Sequence, residues 1–74
     1  MNLLPRIEGN SLKIFNADTG AIHRTAQLPS NSTYSGPIVS GNLVTVTIHP
    51  KNGGSDVVRT FDLNTGSLKK TITL

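Results

Sequence analysis

Apolar and polar residues alternate along this chain with period two. No stretch keeps apolar residues at helical spacing over the roughly ten positions a helix needs. In Leu43 to Ile48, Val44, Val46 and Ile48 point one way while Thr45 and Thr47 point the other. In the last segment Leu68, Ile72 and Leu74 share a face, with Lys69, Thr71 and Thr73 opposite. Lys70 falls on the apolar side, its stem lying along it and its ammonium reaching water. Turn chemistry separates the runs. Gly9-Asn10 and Gly41-Asn42 are two-residue hairpin signals. Asp18-Thr19-Gly20 and Asn64-Thr65-Gly66 end in a residue that takes positive φ without steric cost, and Asp62 is placed to accept backbone N–H groups in an Asx-turn. Asn52 to Ser55 is a flexible hairpin tip. The pattern predicts strands over 3–8, 11–16, 21–28, 37–41, 43–49, 56–62 and 67–73, with 29–36 as the one longer loop. Strands joined this tightly are antiparallel. The expected core is Phe15, Phe61, Ile14, Val44, Val46, Ile48, Ile22, Leu68 and Ile72.

The chain also repeats itself. Set against residues 57–74 without a gap, residues 11–28 place Phe15 on Phe61, Thr19-Gly20 on Thr65-Gly66, Thr25 on Thr71 and Leu28 on Leu74. Lys13 falls on Arg59, and Arg24 on Lys70. Upstream, Pro5, Ile7 and Gly9-Asn10 echo Pro37, Val39 and Gly41-Asn42. The expected organisation is one domain, 1–74, made of two related meanders: unit one over 5–28, a loop over 29–36, and unit two over 37–74.

The second unit, Gly36-Pro37-Ile38-Val39-Ser40-Gly41-Asn42-Leu43-Val44-Thr45-Val46 followed by Val58 to Leu68, resembles a β-propeller blade. The similarity is to quinoprotein-like and WD-repeat-like blades, in which a meander ends in a strand, an Asp-x-x-Thr-Gly turn and an outer strand. It covers the second unit well and the first in part. The Trp-Asp dipeptide and the outer-strand tryptophan of those families are missing, so no cofactor residue carries over. A closed propeller takes about 4–8 blades. The resemblance therefore implies either a ring completed by several chains, or two blade-like units folded on each other as a small sandwich or barrel.

Composition fits strands linked by tight turns. Of 74 residues only 35 % are hydrophobic and 15 % charged, and Thr, Ser, Asn and Gly fill the gap. A chain this short buries only about 60 % of the surface it exposes when unfolded. With no cysteine to add a disulfide or thiolate metal site, a partner subunit is a natural source of further stability. The net charge of +3 is a mild basic excess. No apolar run reaches the roughly 20 residues that cross a bilayer, and the N-terminus lacks a signal-peptide pattern. A cytoplasmic protein is expected, or a virion component if the chain comes from a bacteriophage.

Candidate chemistry is sparse. His23 and His49 have no neighbouring ligand at metal-binding spacing. Glu8, Asp18, Asp56 and Asp62 sit at or beside turns, where they cap backbone. The serines form no nucleophile elbow, and Gly53-Gly54 lacks the rest of a phosphate loop. The sequence thus reads as non-catalytic, with no cofactor, metal or small-molecule substrate. Lys51, Arg59, Lys69 and Lys70 form the candidate basic region, and Tyr34 is the one aromatic in a polar loop. Tyr34 is placed either to anchor a protein interface or to fold onto the core as a lid. The expected function is a self-associating structural or protein-interaction module, of a type that suits a bacterial or bacteriophage accessory or virion part. The alternatives are a nucleic-acid-binding small β-barrel, motivated by the charge, and a carbohydrate-binding two-blade module, which lacks the usual aromatic platforms.

Overall fold

A computed structural model describes residues 2–74. Its seven strands are β1 (Leu3–Glu8), β2 (Ser11–Asn16), β3 (Ile22–Gln27), β4 (Ser32–Ser40), β5 (Leu43–Pro50), β6 (Val57–Asp62) and β7 (Leu68–Thr73). They form a three-stranded sheet, β1-β2-β3, and a four-stranded sheet, β4-β5-β6-β7. Every pairing is antiparallel and between sequence neighbours. Neither sheet closes into a barrel. The all-β expectation holds, and the two-residue turns form as predicted, with Glu8 opposite Ser11 and Ser40 opposite Leu43.

One boundary is corrected. Residues 32–36 were expected in a loop, but β4 starts at Ser32, pairing Ser32–Ser35 with Thr47–Pro50. A β-bulge at Gly36-Pro37 then restores pairing at Ile38 with Thr45. The segment is rich in Ser, Thr and Gly because it is an edge strand, where proline is tolerated and apolar alternation is not required. β4 and β5 are the longest strands of the fold, at nine and eight residues.

The sheets stack on one core. Leu12, Ile14, Ala26 and Leu28 from the first sheet meet Val44, Val46, Ile48, Phe61 and Leu63 from the second. Leu3, Ile7, Tyr34 and Val57 pack around them. Among the described residues no polar or charged residue is fully buried.

Four of the expected core residues lie elsewhere. Phe15 is only half-buried, and Ile22, Leu68 and Ile72 are exposed. Phe15 follows core-facing Ile14 and so points to the opposite face, Leu68 shares the core face with Phe61 but stands on the edge strand β7, and two bulges displace Ile22 and Ile72. In β3, Leu12 faces Ala26 while Phe15 faces Ile22, with the register shifting between Ile14 and Phe15. In β7, Val58 faces Ile72 while Phe61 faces Leu68, with the shift between Thr60 and Phe61. One extra residue moves everything beyond it to the other face. Leu68 and Ile72 therefore lie on opposite faces, although simple alternation puts them together. The same flip brings Ala26 and Leu28 into the core.

The β2–β3 and β6–β7 hairpins share more than sequence. At the offset that puts Phe15 on Phe61, every cross-strand pair has a counterpart: Ser11↔Gln27 with Val57↔Thr73, Leu12↔Ala26 with Val58↔Ile72, Phe15↔Ile22 with Phe61↔Leu68. The turns match too. Asn16 N donates to Ala21 O at 2.8 Å and Asp62 N to Ser67 O at 2.8 Å, while Gly20 and Gly66 have φ of 79° and 76°. The strand before each hairpin also corresponds. Ala17 N donates to Asn2 O and Leu63 N to Asn42 O, both at 2.8 Å, so β1 stands beside β2 as β5 stands beside β6. The upstream echo between Pro5 and Pro37 differs from this spatial match. By position, the strand the first sheet lacks is the counterpart of β4.

Candidate interaction surfaces

Because directly opposed residues in an antiparallel sheet share a face, register and burial together define two outer faces. On the first sheet, Leu4↔Phe15↔Ile22 forms an apolar row, with Arg6↔Lys13↔Thr25 next to it. Leu4 is 52 % and Ile22 54 % exposed. A shallow groove opens beside that row, lined by Leu4, Arg6, Phe15, Asn16, Ala17 and Gly20. The polar half is tied together by Glu8, whose carboxylate lies 3.2 Å from Lys13 Nζ and 3.8 Å from Arg6 Nε. These pairs are solvent-facing and add little stability.

On the second sheet the outer face carries Ile38, Leu43, Val58, Ile72 and Leu74 around a row of threonines. Ile38↔Thr45↔Thr60↔Lys70 runs across all four strands, and Thr45 and Thr60 Oγ1 approach to 3.4 Å. Ile38 and Leu74 are among the most exposed large hydrophobics of the chain.

The five residues singled out from the sequence are not gathered into one surface. Tyr34 packs against the core, and its hydroxyl donates to the Pro29 carbonyl. Arg59 pairs with Val46 on the face between the sheets, where its Nε is buried without a partner among the described residues. Lys51 sits in the turn between β5 and β6, just past the end of β5. Lys69 lies 3.9 Å from Asp62, and Lys70 is on the outer face of β7. A contiguous basic platform is therefore absent from these four residues.

The fold assembles one constellation that local sequence spacing hid. Ser35 Oγ lies 2.7 Å from His49 Nε2, and His49 Nδ1 lies 3.0 Å from Asp56 Oδ2. Ser35 and His49 face the same side of neighbouring strands, while Asp56 comes from beyond the β5–β6 tip. With Nδ1–H donated to Asp56, Nε2 is free to accept from the serine hydroxyl. This is the order of groups in an acyl-transfer triad. All three residues are solvent-accessible on an open strand face, and the groove described above belongs to the other sheet. Ser35, His49 and Asp56 are far apart in the sequence, and strand pairing brings them together.

Asp62 acts locally. Its Oδ1 accepts from Asn64 N at 2.8 Å and Thr65 N at 3.0 Å, as the Asx-turn reading predicted. Those backbone donors, Thr65 foremost, hold its carboxyl below the usual range, with Lys69 adding a smaller pull. No group of metal-ligating side chains is found among the described residues, and no helix is long and apolar enough to cross a membrane. No protein-family model matches the chain, and no curated protein is detectably similar to it.

Proposed function

We propose that this chain is a non-catalytic protein-interaction module that associates with copies of itself through the outer faces of its two sheets. The observation that carries this reading is the placement of Leu4 and Ile22 on one outer face, and of Ile38, Leu43, Ile72 and Leu74 on the other, each at least 39 % exposed. Isolated surface hydrophobics need no explanation, but an apolar row on one outer face together with several exposed hydrophobics on the other does. Total surface does not argue either way: 4350 Å² matches the roughly 4,400 Å² expected of a monomer of this mass. The support lies in how that surface is arranged. The dispersal of Arg59 and Lys51 from the β7 lysines favours protein over nucleic acid as the partner. Light scattering after size exclusion, over a range of concentrations, tests the reading. A mass that climbs with concentration beyond that of one chain is expected, and a single-chain mass throughout would overturn self-association.

A second reading rests on Ser35, His49 and Asp56. In it Ser35 attacks the carbonyl of an activated ester while His49 takes the hydroxyl proton; the tetrahedral adduct then expels the alcohol, which receives that proton from His49, leaving an acylated Ser35, and Asp56 orients the imidazole. It ranks second because an open strand face provides little enclosure for the substrate or for the oxyanion, whose stabilisation is usually the largest catalytic term. Treatment with a fluorophosphonate decides it. Labelling that disappears in Ser35→Ala supports the site; an unlabelled protein removes it.

A further inference from the structure

We propose that a second copy of this chain docks head to tail, its outer β4–β7 face seated on the outer β1–β3 face of the first, repeating the contact that joins the two sheets within one chain. This deepens the self-association reading and rests on it.

The two sheets already meet through unlike faces. The first sheet contributes Leu12, Ile14, Ala26 and Leu28 to the core. At the offset that superposes the hairpins, their counterparts are Val58, Thr60, Ile72 and Leu74, and those lie on the outer face of the second sheet. The second sheet contributes Val44, Phe61 and Leu63 to the core. Their counterparts are Leu4, Phe15 and Ala17, on the outer face of the first sheet beside the groove. The internal contact therefore joins two unlike faces, and each unlike face has an unused copy on the outside. A contact between unlike faces leaves one of each kind exposed whenever it forms, so it propagates into a ring or an open stack.

Two details give the docking a register. Inside the chain, Arg24 covers Gly66: a Cβ there would come within 3.3 Å of Arg24 Cβ. The counterparts are Lys70 and Gly20, and Gly20 has open space at the same point and lines the groove. His23 Nε2 lies 2.8 Å from Asn64 O across the two sheets. The counterparts are Lys69 and the backbone carbonyl of Asp18, so in the corresponding bond between copies an ammonium takes the place of the imidazole as the donor. Lys70 of one copy then lies over Gly20 of the next, with Lys69 reaching Asp18.

The outer faces are more polar than the buried ones. Arg6 and Glu8 stand where the buried face has Val46 and Ile48, and Thr45 and Thr60 stand where it has Pro5 and Ile14. Terminal units of stacked repeats carry such polar substitutions. The contact between copies is accordingly weaker than the one within the chain, and concentration-dependent.

A mixing experiment tests this. Leu4→Glu spoils one outer face and Ile72→Glu the other; both positions are exposed, and circular dichroism checks that each variant folds. Each variant alone should self-associate at least about tenfold more weakly than wild type. Mixed, they should form a two-chain complex and stop there, because each retains the face the other has lost. Wild-type oligomers weakened by only one of the two variants, or variants that fail to complement, overturn the head-to-tail geometry and leave self-association standing. A wild-type mass of one chain at all concentrations removes both.

Discussion

Phe15 and Phe61 hold the same place in two hairpins and meet opposite fates. Each is the last residue but one of its strand, each faces the first apolar residue of the next strand across a β-bulge, and each precedes a turn closed by a glycine at positive φ. Phe61 is 3 % exposed between the sheets, whereas Phe15 lines a groove on the outside. Local geometry is therefore not what buries a side chain here. The order of the sheets in the stack is, because two layers enclose one gap and leave two faces open. Whatever a third layer would cover is left to solvent or to another chain.

Truncating both rings separates the two environments most strongly. Phe61→Ala removes a core aromatic at a site where the two-layer structure has little to collapse onto, and should cost about 3–5 kcal/mol. A 74-residue domain has only roughly 4–11 kcal/mol in total, so this variant should be close to unfolded in modest urea. Phe15→Ala should cost about 1 kcal/mol in the dilute monomer. Urea midpoints measured at low concentration check both values. Equal losses would mean that Phe15 belongs to the core after all. A Phe15→Ala loss that grows with protein concentration would show the outer face becoming buried between chains.

The legible and illegible parts of the sequence divide along physical lines. Strand alternation and turn residues are local, and β1, β2 and the Gly-Asn hairpins follow from them. Ile14, Val44, Val46, Ile48 and Phe61 were readable as core because each lies on a strand whose alternation is unbroken up to that point. Ile22 and Ile72 were not, because a bulge of one residue leaves almost no mark in sequence yet reverses the faces beyond it; Leu68 keeps the core face opposite Phe61 but is left open at the edge strand β7. Leu12 shares the core face of β2 with Ile14, two residues along the same strand. β4 was hidden by its position at an edge, where Ser, Thr and Pro are compatible with pairing. Ser35, His49 and Asp56 meet only through the β4–β5 register, which the loop reading of 29–36 had set aside.

The smallest expected difference lies in the two turns. Asp62 and Asn16 occupy matching positions, and both accept from the backbone: Asp62 Oδ1 from Asn64 N and Thr65 N, Asn16 Oδ1 from Asp18 N at 2.9 Å. Only Asp62 titrates, and the Thr65 and Asn64 donors hold its carboxyl below the ordinary value, helped by Lys69. A carboxyl whose folded-state pKa is depressed stabilises the fold above its unfolded pKa, and that contribution drains away as pH falls through the folded value. Asp62→Asn should therefore lower stability near neutral pH and flatten its loss on acidification. Asn16→Asp should add acid sensitivity in the other turn, and less of it, because Asp18 lies two residues away and His23 stands where the second turn has Lys69. Urea midpoints at a series of pH values, from neutral downwards, compare the three proteins. If wild type and Asp62→Asn lose stability in parallel as pH falls, the Asp62 turn contributes nothing to acid sensitivity, and the difference between the hairpins lies only in which face of the stack they occupy.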